Sequence, residues 1–122
     1  MQEASSIESD LIDVKKLMQA GDFAASERSL NSLVSKVPSN GDVLYMLAVC
    51  HRYQKRYPEA LDTLRKLRFS VPDHSRAYQE IGHVYRAMNQ VDAALNSYSQ
   101  AVLINPALEL SLIHISEPTR PY

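Results

Sequence analysis

Apolar and polar positions follow each other along the chain with the spacing of amphipathic helices. Leu44, Leu47, Ala48 and His51 lie three, four and seven positions apart, so on a helix they share one stripe. The next segment carries a matching stripe: Ala60, Leu64 and Leu67. The pattern as a whole predicts six helices and no strand, with the helices near residues 8–20, 23–36, 41–54, 58–70, 75–88 and 91–104.

The stripes recur with a period of 34 residues, which is the spacing between Pro38, Pro72 and Pro106. The same interval aligns four further sets of positions: Phe23, Tyr57 and Val91; Ser26, Ala60 and Ala94; Leu30, Leu64 and Tyr98; Leu33, Leu67 and Ala101. Because proline lacks an amide hydrogen, each of the three prolines is expected to end the second helix of a repeat. The period therefore predicts three helix-turn-helix repeats.

Residues at the expected helix ends and contacts support the same register. Asn40 and Asp73 carry side-chain oxygens that are suited to cap the helices that follow them. Pro58 suits the first turn of a helix, where the missing amide hydrogen costs no hydrogen bond. Gly82 and Ala94 are small, so we expect them where two helices touch.

These positions carry a resemblance to the tetratricopeptide repeat (TPR) family, whose period is 34 residues. The best match is the third repeat: Tyr78, Ile81, Gly82, Tyr85, Ala94, Tyr98, Ala101 and Pro106. The resemblance implies an all-α superhelix, or solenoid, of three helix-turn-helix repeats, with a concave groove that binds a peptide or protein segment. Its repeats are about 7–40, 41–74 and 75–108, within an array of residues 1–109. The first repeat departs from the pattern, because Asp10 and Asp13 stand where large apolar residues are usual.

The C-terminal residues 110–122 do not continue the repeat. Pro118 and Pro121 are incompatible with a further helix there. The string SLIHISEPTRPY resembles a translated sequencing-adapter read-through. We therefore interpret residues 110–122 as a non-repeat tail, artefactual or disordered, and exclude it from the functional argument.

Composition argues against several classes of function. The formal net charge of -1 gives no support for nucleic-acid or membrane binding. The acidic N-terminus lacks the segments of a signal peptide, and the single cysteine, Cys50, fits a reducing compartment, so we expect a cytoplasmic location. No glycine-rich phosphate loop and no histidine pair at metal-ligand spacing occurs. We accordingly expect no enzyme activity, cofactor or metal site in this chain.

The candidate partner site lies on the first helices of the second and third repeats. Seven residues are offset from the core stripe toward the expected inner face and line the predicted groove: Tyr45, Val49, Arg52, Arg76, Gln79, His83 and Arg86. Aromatic and arginine side chains are the ones that most often anchor partner contacts. Since three of the seven are arginines, an acidic or C-terminal peptide segment is the expected ligand.

Two alternatives remain open at this point. The amino-acid sequence of residues 15–108 resembles the N-terminal TPR region of bacterial TPR-containing sulfotransferases. This resemblance implies a truncated regulatory or substrate-presenting region of an enzyme whose catalytic domain lies outside this chain. The other alternative is a structural spacer or a self-associating array. Weak self-association is expected through the last helix, whose outer side carries Val91, Leu95, Val102 and Leu103.

Overall fold

The computed structural model describes the backbone of residues 2–108 and the side chains of residues 7–108. Across this range the chain forms six α-helices and one short 3-10 helix, and it contains no strand. The helices are α1 Gln2–Gln19, α2 Phe23–Lys36, α3 Gly41–Tyr53, α4 Tyr57–Ser70, α5 Ser75–Ala87 and α6 Val91–Ile104. The 3-10 helix covers Pro106–Leu108. The all-α fold class and the number of helices are confirmed.

The helix boundaries agree with the sequence prediction to within one residue, except at the first helix. Helix α1 begins at Gln2 rather than near residue 8. The six added residues include Gln2, Glu3 and Ala4, which are good helix formers and favour the extension of the helix beyond its apolar stripe. The predicted tail, residues 110–122, lies outside the described residues.

Side-chain caps and prolines fix the ends of the helices. The Asn40 side chain accepts a hydrogen bond of 3.1 Å from the amide of Val43 and caps α3 as predicted. The expected cap at Asp73 is wrong, because α5 begins at Ser75 and the residue before it is His74. Nδ1 of His74 accepts the hydrogen bond from the amide of Ala77 at 3.1 Å. Each second helix ends two residues before its proline: at Lys36, Ser70 and Ile104.

A left-handed residue recurs in the turn inside every repeat. Gly21, Lys55 and Asn89 have φ angles of 81°, 63° and 62° and are spaced by the 34-residue period. This conformation is easy for glycine and tolerable for asparagine, whereas lysine adopts it against a steric cost. The turn geometry is therefore repeated although the residue type is not.

By spatial compactness, residues Met1–Pro72 form a first unit that contains α1 to α4. One apolar cluster joins its first three helices: Leu11, Val14, Leu30, Leu33, Val43, Leu47 and Cys50. Helix α1 contributes Leu11 and Val14, which explains how the first repeat packs although Asp10 and Asp13 are polar. On α4 the predicted stripe of Ala60, Leu64 and Leu67 is fully buried.

The second unit begins at Asp73 and contains α5 and α6. Ile81 and Ala94 are buried in the packing of these two helices, as the register predicts. The two helices approach closely at Gly82, where an added Cβ would lie 2.5 Å from Cδ1 and 2.9 Å from Cζ of Tyr98. Only glycine fits at this position while the tyrosine ring stays in place.

Candidate functional site

Three of the seven predicted site residues lie on α3. Tyr45, Val49 and Arg52 are spaced by four and three residues and so follow one face of the helix. Tyr45 and Arg52 are half-buried. Val49 is only 9% exposed, because α3 is buried over most of its circumference. Val49 therefore leaves little surface for a ligand, and its place in the predicted groove stays a prediction.

Arg52 is held within a stack of aromatic rings that the sequence analysis did not identify. Its guanidinium lies 4.7 Å from the centre of the Tyr53 ring, a cation–π contact. The Tyr53 ring in turn stacks on Phe23 of α2, with centroids 4.6 Å apart and planes within 3°. Phe23 was recognised only as a repeat position. The adjacent pair Arg52-Tyr53 at the end of an amphipathic helix was the available signal for the stack.

The other four predicted residues lie on α5. Arg76, Gln79, His83 and Arg86 are spaced by three, four and three residues, which places them along one face. Arg76 and Arg86 are exposed, whereas Gln79 and His83 are half-buried. Nδ1 of His83 lies 2.8 Å from the hydroxyl of Tyr98 in a hydrogen bond, which fixes the imidazole against α6.

A polar cluster in the first unit was missed altogether. Glu27 of α2 accepts hydrogen bonds from Nε2 of Gln54 at 2.7 Å and from Nη1 of Arg56 at 2.7 and 2.9 Å. Nε of Arg56 also lies 3.4 Å from a carboxylate oxygen of Glu59. Burial alone raises the pKa of Glu27, but the hydrogen bonds from Gln54 and Arg56 outweigh it and hold the pKa below its ordinary value. The cluster joins α2 to the turn between α3 and α4.

Burial shifts the pKa values of two potentially reactive side chains next to this cluster. Burial raises the pKa of Cys50 to about 12, with a further contribution from the nearby charge of Glu27. A thiol of this kind is not a nucleophile near neutral pH. Burial lowers the pKa of His51, and its Nδ1 lies 3.5 Å from Glu27 without forming a hydrogen bond in the described structure. The lowered pKa favours the neutral imidazole in this contact with the carboxylate.

The cluster predicts acid sensitivity that depends on Glu27. Because its pKa in the folded chain lies below the ordinary 4.5, the unfolded chain binds more protons in that range, and stability falls as the pH drops through it. We expect the parent protein to lose more stability than a Glu27→Gln variant between about pH 5 and pH 3. Thermal unfolding followed by circular dichroism measures the difference.

The matched control for this prediction is Glu59→Gln, which removes a carboxylate from the exposed side of the same arginine. It should keep the acid sensitivity of the parent. Equal acid sensitivity in the parent and the Glu27→Gln variant would show that the cluster does not contribute to the pH dependence.

Other features of the described residues give no second site. No three histidine, cysteine, aspartate or glutamate side chains among them are placed to hold a metal ion. None of the described helices is long and apolar enough to cross a membrane. A shallow depression lies between α1 and α2, and none of the predicted site residues is among those lining it: Asp10, Asp13, Ser29, Ser32, Leu33 and Lys36.

Solved structures with similar backbones are proteins with TPR-type arrays. A mutant of the O-GlcNAc transferase of Thermobaculum terrenum is 25% identical, with a TM-score of 0.80 over 87% of this chain and 20% of that one. YrrB, described as a TPR protein with an unusual peptide-binding site, is 19% identical, with a TM-score of 0.77 over 84% of this chain and 53% of that one. The present chain thus spans about half of YrrB and a fifth of the transferase.

A third similar structure is itself a complex. The second TPR of Spaghetti (RPAP3), bound to the HSP90 peptide SRMEEVD, is 12% identical, with a TM-score of 0.76 over 85% of this chain and 96% of that one. At this level of identity the likeness shows the fold.

Family profiles cover most of the helical part of the sequence. One profile of the tetratricopeptide repeat matches residues 17–81, and a second matches residues 75–108. The matched ranges include α2 to α6, with their 34-residue register and their recurring left-handed turns. The chain belongs to the tetratricopeptide repeat family.

Proposed function

We propose that this chain is a protein-interaction module that binds a peptide or protein segment. Two helix faces are assigned to the contact: the face of α3 with Tyr45 and Arg52, and the face of α5 with Arg76, Gln79 and Arg86. The observation that carries the proposal is the placement of these large polar side chains. They follow helical spacing beside a buried stripe, yet remain exposed or half-buried. His83, held by Tyr98, supports the α5 face from one side.

Two of the similar structures support this choice of function. One of them is described by its peptide-binding site, and the other contains a bound peptide with two adjacent glutamates and an aspartate. For the present chain, we assign the contact to the first helices of its second and third repeats, residues 41–74 and 75–108. The repeat boundaries are part of the proposal.

The charge of the two faces favours an acidic ligand. Arg52 lies on the α3 face, and Arg76 and Arg86 lie on the α5 face. These two arginines are the exposed charged residues of the α5 face. Arginine pairs with a carboxylate through two parallel hydrogen bonds, which gives direction as well as charge. Because Arg76 and Arg86 are exposed to water, added salt screens their charges over about 8 Å at physiological ionic strength, and binding should weaken.

The test is a variant in which Arg52, Arg76 and Arg86 are all replaced by alanine. We expect this variant to capture fewer partner proteins from a cell lysate than the parent, with capture by the parent declining as salt is added. Circular dichroism verifies that the variant is folded.

A control variant with the same loss of charge distinguishes an effect of the assigned binding residues from an effect of the net charge. Arg65, Lys66 and Arg68 are three exposed cations on α4, a helix outside the assigned faces. Their replacement by alanine should leave capture unchanged. If the two triple variants bind equally well, the assigned faces are not the site, and the chain is better explained as a structural spacer.

A second candidate function treats this chain as one region of a longer enzyme. One similar structure is a glycosyltransferase, and the region that matches the present chain makes up 20% of its length. A TPR array of this size therefore does occur within an enzyme. The corresponding proposal is that this array presents substrate to, or regulates, a sulfotransferase domain. Sequencing the reading frame past Glu109 tests it: a glycine- and serine-containing phosphate loop supports the proposal, and an intact frame without one refutes it.

A further inference from the structure

The turn between α3 and α4, residues 54–56, is strained and is held by one side chain of α2. Lys55, at its centre, has a φ angle of 63°, a conformation that costs lysine more than it costs glycine or asparagine. Its two neighbours are bonded to Glu27: Nε2 of Gln54 donates at 2.7 Å, and Nη1 of Arg56 donates at 2.7 and 2.9 Å. The Glu27 carboxylate therefore ties the strained turn to α2.

A buried imidazole faces the same carboxylate. The His51 side chain is only 9% exposed, and its Nδ1 lies 3.5 Å from Oε1 of Glu27. Nδ1 has no hydrogen-bond partner within the described structure. Oε1 already accepts one hydrogen bond from Gln54 and another from Arg56. Because a carboxylate oxygen has two lone pairs, a third donor at Oε1 displaces one of these two.

Charged side chains from three elements face His51: Glu27 from α2, Arg56 from the turn and Glu59 from α4. Burial lowers the pKa of His51 below the ordinary 6.5, and the charge of Arg56 adds to this shift. The charges of Glu27 and Glu59 oppose it without reversing it. The buried ring therefore favours the neutral form, and a proton on His51 favours any opening that admits water to the ring.

We propose that the turn between α3 and α4 is a pH-sensitive switch, which opens when His51 binds a proton. The proton makes Nδ1 a donor to Oε1 of Glu27. Gln54 is the donor that leaves, because its neutral amide binds the carboxylate less strongly than the guanidinium of Arg56 does. Only Arg56 then ties the strained backbone at Lys55 to α2, and the turn opens.

The third repeat has the same turn without a histidine. Its left-handed residue is Asn89, with a φ angle of 62°, and the amide of Gln90 donates to the carbonyl of Tyr85 at 2.8 Å. Tyr85 stands one period after His51, and tyrosine does not exchange a proton between about pH 5 and pH 8. The backbone of the turn therefore forms without an imidazole, and tyrosine is a natural replacement for His51 in a test.

Hydrogen exchange of the full chain at about pH 7.5 and about pH 5.5 tests the switch. The amides of Gln54, Lys55 and Arg56 are bonded to carbonyls of α3 and exchange when the turn opens. We expect their protection to fall by about threefold to tenfold at the lower pH, after correction for intrinsic exchange, because the opened turn binds the proton of His51 more tightly. Glu27 stays ionised at both pH values, since its pKa lies below the ordinary 4.5.

Substitutions of single histidines identify the responsible proton. His51→Gln removes the titratable ring, and the protection of the same amides should then change by less than about twofold. His51→Tyr copies the residue of the third repeat and should behave in the same way. The matched control is His83→Gln, the same substitution at a half-buried histidine of the second unit, and it should keep the pH dependence of the parent.

Side-chain resonances of the isotopically labelled parent test which bond is released. The side-chain amide of Gln54 should shift with the same midpoint as the ring of His51. A Gln54 side chain that does not respond while the ring titrates would contradict the displacement from Glu27.

Several results of the exchange measurement would overturn the switch. Unchanged protection of the turn in the parent would show that no proton opens it. The same loss in His51→Gln as in the parent would assign the effect to another group. Equal protection of the turn and of Leu64, in the middle of α4, would show that the turn opens only when the whole chain unfolds.

Discussion

Replacing Leu64 with alanine is expected to destabilise the chain by about 2–5 kcal/mol. Leu64 lies in the middle of α4 and is among the largest side chains that are completely buried. Its removal leaves a cavity that the neighbouring helices cannot close, because each is tied to its repeat by short turns. Urea unfolding followed by circular dichroism measures the loss as a lower midpoint.

The same helix offers a control residue that is exposed where Leu64 is buried. Phe69 is larger than leucine but is 90% exposed, and Phe69→Ala should change stability by no more than about 0.5 kcal/mol. Both substitutions remove a large apolar side chain from α4, so only burial distinguishes them. Equal midpoints for the two variants would show that the register of α4 is wrong.

The second large effect is expected at Gly82. A methyl group there would meet the ring of Tyr98 at 2.5 to 2.9 Å, and the ring is held by the hydrogen bond to His83. We expect Gly82→Ala to cost about 1–3 kcal/mol, which exceeds any gain in helix propensity. Thermal and urea unfolding should agree on the direction.

The second repeat suggests a compensating change. One period earlier, the positions of Gly82 and Tyr98 hold Ala48 and Leu64, both of which are buried. The double variant Gly82→Ala with Tyr98→Leu reproduces that pair and should recover most of the lost stability, although it forfeits the bond to His83. A Gly82→Ala variant as stable as the parent would contradict the close packing of α5 on α6.

The sequence was sufficient to predict the parts of the fold that depend on local periodicity. The spacing of Leu44, Leu47 and Ala48 predicted three of the buried residues of α3, and the three prolines predicted where the second helices end. Gly82 was identified as a helix contact because it is small at a position that the repeat keeps close to a neighbour. Each of these depends on residues within one repeat.

Features that depend on contacts between repeats, or on fine geometry, were not predicted. The Glu27–Arg56 pair joins residues 29 positions apart and has no counterpart one period later, where Leu61 and Gln90 stand. Asp73 was predicted as the cap of α5 in place of its neighbour His74, because the exact start of the helix decides between two adjacent polar residues. The burial of Val49 was not predicted, because a helical face viewed alone does not show how many neighbours surround it.

The assigned binding faces remain a proposal, and they can be mapped directly. Amide chemical shifts of the isotopically labelled chain should be recorded during titration with short peptides rich in aspartate and glutamate. We expect the shifts to concentrate on α3 around Tyr45 and Arg52 and on α5 around Arg76 and Arg86, and we expect added salt to reverse them. Shifts confined to α2, α4 or α6, or none at peptide concentrations that saturate a weak site, would contradict the proposal.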